Sequence, residues 1–191
     1  MLNPKLFQQL KKDFDFYSQE RRKIIADSND ALMKAKQAIF AFHRDDFRGG
    51  NALIGEVENI FGDLEKKFGK EEELRYEGSY QAALEEYVEA KFFGDFLQGE
   101  KIDFISEVPV EEDSYLAGLC DFTGELARKT VLAATARDFK KVEVLVAGIR
   151  DVIAELIKFN LTGYLRTKYD QAKQNLRRAE EVLYDVKMRE R

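Results

Sequence analysis

An apolar stripe runs through the first forty or so residues, and it restricts the fold more than any other feature of the sequence. At about 100° per residue, a helix from about Pro4 to Phe42 collects apolar side chains on one broad arc. They are Phe7, Leu10, Phe14, Tyr17, Ile24, Ile25, Leu32, Ala35, Ile39 and Phe42. Pro4 falls in the first turn, where a helix tolerates proline. A helix this long and amphipathic needs other helices against its stripe, so the sequence predicts an all-α bundle.

Breaks in the apolar periodicity divide the rest of the chain into further helices. Their predicted bounds are about 52–68, 72–97, 115–135, 139–158 and 164–187. The string RDDFRGGN breaks the first helix at Gly49 and Gly50, Gly69 closes the second, and Asp113 or Ser114 caps the fourth. We therefore expect a bundle of about six or seven helices with long amphipathic first and last members.

Composition supports a helical protein and narrows its class. The chain has 191 residues, of which 45% are hydrophobic and 35% charged, with 2 Pro and no Trp, a profile typical of helices with charged outer faces. The length fits one domain over residues 1–191. Cys120 is the only cysteine, which argues against a disulfide framework or a cysteine zinc site. No apolar run approaches the roughly 18 residues of a membrane span, so we expect a cytoplasmic protein without a membrane partner.

The last predicted helix carries a heptad pattern. Apolar residues alternate at spacings of four and three over three heptads. They are Leu165, Tyr169, Ala172, Leu176, Ala179, Leu183 and Val186. Such a seam packs either inside its own bundle or against another subunit, and the spacing alone leaves both alternatives open.

Charge is distributed unevenly along a chain whose net charge is −5. Residues 51–125 carry 20 acidic against 6 basic side chains, whereas residues 126–191 carry 15 basic against 9 acidic. The negative sum argues mildly against nucleic acid, but basic ends suit a nucleic-acid surface. The alternative is ordinary charge on solvated helix faces.

Two pairs of carboxylates lie in the acidic middle of the chain. Glu86 and Glu89 are three apart on a helix face that is otherwise apolar, where an unpaired acid is costly. Asp121 and Glu125 are four apart on the next helix. If the two helices face each other, the four carboxylates form an oxygen-only site suited to Mg²⁺, Mn²⁺ or Ca²⁺.

Routine surface pairing is the alternative for these acids, for example Glu125 with Lys129 or Arg128. His43 is the only histidine, and no Glu-x-x-His motif surrounds it, which disfavours a di-iron bundle. His43 and Arg44 end the first helix, where they suit either a phosphate or the negative end of the helix dipole. No nucleophile motif or phosphate-binding glycine loop occurs.

Four strings resemble the translin/TRAX family. AIFAFHR (38–44) resembles its first-helix string, and EEYVEAKFFGDFL (85–97) resembles a TRAX string. YLAGLCDFTGELARKTVLAATARDF (115–139) resembles the family's most diagnostic segment, and KYDQAKQNLRRAEEVLYDVKMR (168–189) resembles its last helix. The resemblance implies a translin-like all-α subunit that assembles into hollow, octamer-like shells and binds RNA or single-stranded DNA. TRAX-type subunits are Mg²⁺-dependent endoribonucleases, whereas translin-type subunits mainly bind.

The resemblance also implies roles for particular residues. The family's catalytic acids correspond to Glu86, Glu89, Asp121 and Glu125, which would hold Mg²⁺ or Mn²⁺. All four are present, which favours the endoribonuclease type. The heptad seam and the long amphipathic first helix offer more apolar surface than one bundle needs, which predicts a homo-octamer, with the need for a second family subunit left open. Separately from the resemblance, the basic side chains of the first and fourth helices and the histidine at the end of the first are predicted to bind nucleic acid. They are Arg22, Lys23, Lys34, Lys36, His43, Arg44, Arg128 and Lys129.

Overall fold

The computed structural model describes residues 3–68 and 72–189, and its regular structure is helical. The helices are α1 (Pro4–His43), α2 (Phe47–Phe68), α3 (Gly78–Gln98), α4 (Glu112–Thr135), α5 (Phe139–Leu156) and α6 (Gly163–Arg189), with a short 3₁₀ helix at Glu72–Tyr76. No strand occurs within the two described ranges. The predicted all-α bundle with long first and last helices is confirmed.

The break between α1 and α2 lies earlier than the glycines that were expected to form it. The chain turns at Asp45, whose φ of 60° is left-handed, and α2 already begins at Phe47. The Asp46 carboxylate accepts a hydrogen bond from the Gly49 amide at 2.9 Å, which satisfies a free donor of the first turn. Gly50 serves close packing instead, because a Cβ there would lie 2.2 Å from the Phe42 ring. Gly69, predicted to close the second helix, lies outside the described residues.

The bounds of α3 and α4 also differ from the prediction. The segment expected to open the third helix is the 3₁₀ helix, and α3 itself begins at Gly78. Neither Asp113 nor Ser114 caps α4, since the N-cap is Glu111, without a side-chain hydrogen bond. Ser114 is buried, and its hydroxyl donates to Gln81 of α3 at 2.9 Å. A tertiary contact between helices has displaced the local capping contact.

α3 is the central helix of the bundle, and it packs against α1, α2 and α4. Its buried residues surround the helix instead of forming one stripe, which explains why the sequence is apolar on two sides here. α4 extends the core to α5 and α6 on its other side. A carboxylate on α3 that faces α4 is therefore held between two packed helices.

The heptad seam of α6 packs inside its own chain. Five of its members are buried against the bundle, namely Tyr169, Ala172, Ala179, Leu183 and Val186. The packing partners of α6 are α4 and α5. Of the two alternatives for this seam, the structure shows packing within the bundle.

The apolar stripe of α1 is covered over only part of its length. The first buried residue of α1 is Ile24, whereas Phe7, Leu10 and Phe14 are 51%, 53% and 70% exposed. The first four turns of α1 therefore present an apolar stripe that the chain's own described residues leave uncovered.

A bilayer span is not found among the described helices, since none of them is both long enough and apolar enough to cross a membrane.

Gly118 sets how closely α4 approaches α3. An added Cβ would come within 2.6 Å of the Val88 Cβ and 2.9 Å of the Glu85 carbonyl oxygen. Gly118→Ala should therefore lower the free energy of unfolding by about 1–3 kcal/mol, as measured by urea titration. Gly62→Ala is the matched control, because its methyl group meets nothing within 4 Å; it should raise stability by about 0.5–1 kcal/mol. Equal stability of the two variants would show that the α3–α4 contact accommodates a methyl group.

Candidate functional site

The four acids singled out in the sequence lie in one electrostatically coupled cluster. Glu86 and Glu89 project from α3, and Asp121 and Glu125 from α4. Burial raises the pKa of Glu86, the negative charges of Asp121 and Glu125 raise it further, and Lys36 acts in the opposite direction. Carboxylates influence one another this way only when they are close and partly shielded from water. The packing of α3 on α4 thus brings both pairs together.

Glu89 is the most shielded member of the cluster, with 9% of its surface exposed. Burial, and then the charges of Glu86, Asp121 and Glu125, raise the pKa of Glu89 to about 9, while Lys168 has a smaller opposite effect. No residue within 3–68 or 72–189 forms an ion pair with it at 4.0 Å or less. At neutral pH the Glu89 carboxyl is therefore held protonated unless a positive charge enters the cluster.

Each of the other three acids contacts a basic side chain. The Lys36 ammonium of α1 lies 3.5 Å from the Glu86 carboxylate, and Lys168 of α6 pairs with Asp121. Glu125 contacts the His43 ring and lies 3.6 Å from the Arg128 guanidinium. Four elements of the fold thus meet at the acidic cluster.

Lys168 and Tyr164 complete the cluster, and the sequence reading missed both. Lys168 lies 3.3 Å from the Glu85 carboxylate as well as pairing with Asp121, and the Tyr164 hydroxyl donates to Glu85 at 2.7 Å. Although partial burial acts against its charged form, hydrogen bonds with Asp121 and Tyr164 raise the pKa of Lys168. The available signal was the i, i+4 spacing of the two residues, which places them on one face of α6.

His43 is a buried member of the cluster and does not lie on the protein surface. Its ring packs on Phe93 with centroids 4.7 Å apart, and its Nε2 contacts Glu125. The buried Nδ1 has no hydrogen-bond partner among the described residues. The ring therefore positions Glu125 and is not free to contact a phosphate on the outer face of α1.

Lys129 does not fulfil its predicted role as a phosphate contact, because it is 4% exposed. Its ammonium donates to the His43 carbonyl at 2.9 Å and to the Asp45 carboxylate at 2.8 Å. It thereby satisfies the C-terminal carbonyl groups of α1. The alternative pair of Glu125 with Lys129 is not formed either. Although burial acts to raise it, Lys129 and Lys141 hold the pKa of Asp45 below its usual value.

The other predicted nucleic-acid-binding residues do not share a single face. Lys34 pairs with Glu56 of α2 at 2.5 Å, whereas Lys36 turns toward α3. Arg22 and Lys23 are exposed and bond locally, to the Ser18 carbonyl and to Glu20. Of the predicted residues, Lys36 and Arg128 lie beside the acidic cluster, whereas Arg44 lies over the Phe40 ring.

A cleft of about 410 Å³ opens beside the cluster, between α4 and α6. The acids Glu89 and Asp121 line it together with Tyr164 and Lys168. Gly124 lies at its wall, where an added Cβ would come 3.4 Å from the Asn175 amide nitrogen. The cleft gives solvent and small anionic groups a path to the carboxylates.

The donor chemistry fits a hard divalent cation, but the side chains are not arranged around one. All four groups are carboxylates, the ligands that Mg²⁺ and Mn²⁺ prefer, and Glu89 is buried without a countercharge. Over the described ranges, however, no three His, Cys, Asp or Glu side chains are placed to hold a metal ion together. Three of the carboxylates instead contact side chains of neighbouring helices: Glu86 and Glu125 contact Lys36 and His43 of α1, and Asp121 contacts Lys168 of α6.

Comparison with known proteins finds a family model and relatives that match most of this chain. The model of the Translin family matches residues 19–190. Translin from Bos taurus and from Homo sapiens are each 25% identical over 151 residues, covering 71% of this chain and 66% of translin. The matched region is therefore slightly less than two thirds of those relatives' length.

Solved structures resemble the whole described fold. The crystal structure of apo-NeC3PO superposes with a TM-score of 0.87 at 20% identity, covering 97% of this chain and 99% of that one. AfC3PO in complex with duplex RNA gives a TM-score of 0.85 at 18% identity, with 95% and 96% coverage. At such identities the likeness establishes a shared all-α fold.

Glu89→Gln keeps the size of the side chain and removes its charge. The fold raises the pKa of Glu89 to about 9, whereas the pKa of a glutamate in an unfolded chain is about 4.3. As pH rises through this window the unfolded chain loses its proton first, so native Glu89 destabilises the fold increasingly. In the presence of a chelator, Glu89→Gln should melt higher than the parent. The difference should grow from pH 5 to pH 9 and correspond to on the order of 1–3 kcal/mol near neutral pH.

Glu143→Gln is the control for this measurement. Glu143 is exposed and lies 3.1 Å from Lys187, and exposed pairs contribute only about 0–1 kcal/mol. Its melting temperature should track the parent at every pH. A Glu89→Gln protein that melts no higher than the parent would contradict the raised pKa that burial and the neighbouring acids give to Glu89.

Proposed function

The chain belongs to the Translin family, and from that premise we propose that it is a metal-dependent endoribonuclease acting mainly on single-stranded RNA. The observation that carries the proposal is that Glu86 and Glu89 of α3 and Asp121 and Glu125 of α4 lie close enough to raise one another's pKa. A fold gains nothing in stability from a buried acid whose charge is opposed by three neighbours. Such an arrangement is typical of a site that requires the charge for chemistry.

The proposed cofactor is Mg²⁺ or Mn²⁺, held by the oxygens of the four acids. When bound, such a cation neutralises charge on the scissile phosphate and lowers the pKa of an attacking water. The residues of the chain supply the rest. To hold the cation, Glu89 would have to lose its proton, and Glu86 and Asp121 would have to exchange Lys36 and Lys168 for the cation. Glu125 would stay in contact with His43.

The basic side chains that pair with the acids also have a role in the proposed function. Lys36 and Lys168 neutralise Glu86 and Asp121 in the metal-free protein, which limits repulsion inside the cluster. Once released, their ammonium groups lie at the rim of the site and attract the RNA backbone. Arg128, half exposed beside Glu125, is suited to the same task because a guanidinium binds phosphate through paired donors. His43 remains buried and keeps Glu125 in position.

The solved neighbours support RNA as the ligand class, since one of them is a complex of AfC3PO with duplex RNA. A second candidate function is RNA or single-stranded DNA binding without catalysis. Two observations favour it. The curated relatives are named translin, and the acids contact basic side chains instead of converging on one point. The two candidates differ in one outcome, which is whether the backbone is cut.

Glu89→Gln and Asp121→Asn should abolish cleavage of single-stranded RNA in Mg²⁺, with a rate at least about 100-fold below the parent. In chelator Glu89 already keeps its proton, so Glu89→Gln should bind RNA with parental affinity. Asp121→Asn removes a charge that repels phosphate, so its RNA affinity should be equal or higher. Cleavage is followed on a labelled oligonucleotide, and affinity by fluorescence anisotropy in chelator. Affinity should fall steeply with added salt, as counterion release requires.

Glu143→Gln again serves as the control and should cleave at the parental rate. Mg²⁺ should also raise the melting temperature of the parent but not that of Glu89→Gln, by mass action on the folded state. Full activity in both acid variants would contradict the catalytic role of the cluster. Salt-sensitive binding without any cleavage by the parent would identify the second candidate function.

Assembly is the other part of the proposal, and the uncovered start of α1 supports it. Phe7, Leu10 and Phe14 form a stripe that a neighbouring subunit would shield from water. We expect a homo-octamer, and light scattering should give about eight times the 22.1 kDa chain mass. Phe14→Asp should reduce the mass, while Phe16→Asp, an exposed residue outside the stripe, should not. A 22.1 kDa monomer at micromolar concentration would contradict assembly.

A further inference from the structure

An aromatic ring lies exposed on the outer side of α1, directly beside the acidic cluster. Phe40 is 54% exposed, although it falls in the part of α1 that packs most tightly against the bundle. Its neighbours along the sequence, Ala38, Ile39 and Phe42, are all buried. A single exposed apolar side chain is common on protein surfaces, so the case for a ligand here rests on the side chains around the ring.

The position of Phe40 on the helix connects it to the acids. At about 100° per residue, His43, Lys36, Phe40 and Arg44 follow one another around an arc of about 100°. The first two contact Glu125 and Glu86, and the last two face solvent. A molecule that contacts Phe40 would therefore lie next to Lys36 and His43, the two α1 residues that contact the acids.

Cations flank the ring on both sides. The Arg44 guanidinium lies 5.8 Å from the centroid of the Phe40 ring, and Lys36 precedes it by one helical turn. Together with Gln37 and Ala41 these residues line a shallow groove of about 420 Å³. An aromatic floor between two cations matches the chemistry of single-stranded nucleic acid, whose bases stack while its phosphates pair with the cations.

A subunit contact is the competing explanation for an exposed aromatic residue. Charged side chains are depleted from the cores of protein interfaces, and here Lys36 and Arg44 border the ring. The uncovered stripe at the start of α1, by contrast, contains three apolar residues in succession along one face. The two exposed regions of α1 thus differ in chemistry, and the cationic border favours nucleic acid at Phe40.

We infer that Phe40 is a base-stacking residue that selects unpaired RNA and places the adjoining phosphate beside the acidic cluster. This inference rests on the proposed function for its substrate and deepens it. A paired base is already stacked and cannot lie on the ring, so Phe40 would favour single strands over duplexes. Phe40 is a positioning residue here, because it does not touch the reacting atoms.

The chain contains no tryptophan, so Phe40→Trp introduces a single fluorescent reporter. In chelator, a single-stranded RNA oligonucleotide should quench this reporter by stacking, whereas an abasic oligomer of equal length and a blunt RNA duplex should not. Phe104→Trp is the matched control, since Phe104 is 89% exposed and lies in the loop between α3 and α4. Its emission should change little on addition of RNA.

Phe40→Leu keeps an apolar side chain and removes the stacking surface. Its affinity for single-stranded RNA should fall about 10-fold, as expected for the loss of one base–aromatic contact, with no change for the abasic oligomer. Phe40→Tyr keeps an aromatic ring and should bind single-stranded RNA with the parental affinity. Circular dichroism and light scattering on the same variants establish that fold and assembly are intact.

Two results would overturn the inference. One is equal quenching in Phe40→Trp and Phe104→Trp; the other is a Phe40→Leu protein with parental affinity for single strands. Dissociation of the assembly by Phe40→Leu would assign the ring to a subunit contact instead. Because these measurements are made without a divalent cation, they are independent of cleavage. Stacking without catalysis would refute the proposed enzyme alone, and catalysis without stacking would refute this inference alone.

Discussion

Repulsion among four carboxylates is the constraint on which the rest of this structure depends. The cluster occupies the contact between α3 and α4, where Glu89 is buried with three other acids near it. Most cores exclude such a group, because an unpaired buried charge costs several kcal/mol. Here α1 and α6 supply Lys36 and Lys168, which pair with Glu86 and Asp121. Glu89 has a raised pKa and keeps its proton.

The end of α1 is fixed by a second ionic contact that makes the first one possible. The buried Lys129 ammonium binds the last carbonyl groups of α1 and the carboxylate of Asp45. Removing the Asp45 carboxylate would leave the buried Lys129 ammonium with less compensation, which is destabilising. This contact holds the C-terminal end of α1 next to α4, where His43 contacts Glu125.

Sequence periodicity predicted the number, order and central parts of the helices, because apolar stripes follow directly from helix geometry. Local capping chemistry was less reliable. Ser114 bonds to Gln81 on another helix instead of capping its own, and the break after α1 occurs at Asp45 instead of at the glycines. The acid pairs were predictable from spacing and family resemblance. Lys168 was not, because its contact with Asp121 joins residues 47 apart and no local pattern encodes it.

Helix α1 thus has two surfaces that carry different side chains. The inner side of α1 carries His43 and Lys36, which contact the acids, and the outer side carries Phe40 and Arg44. Because α1 is rigid and its end is held by Lys129, a ligand on the outer side has a fixed distance to the acidic cluster. Preorganisation of this kind lowers the entropic cost of bringing a substrate to its reacting groups. In the proposed function, recognition at Phe40 and chemistry at the acids are linked through the end of a single helix.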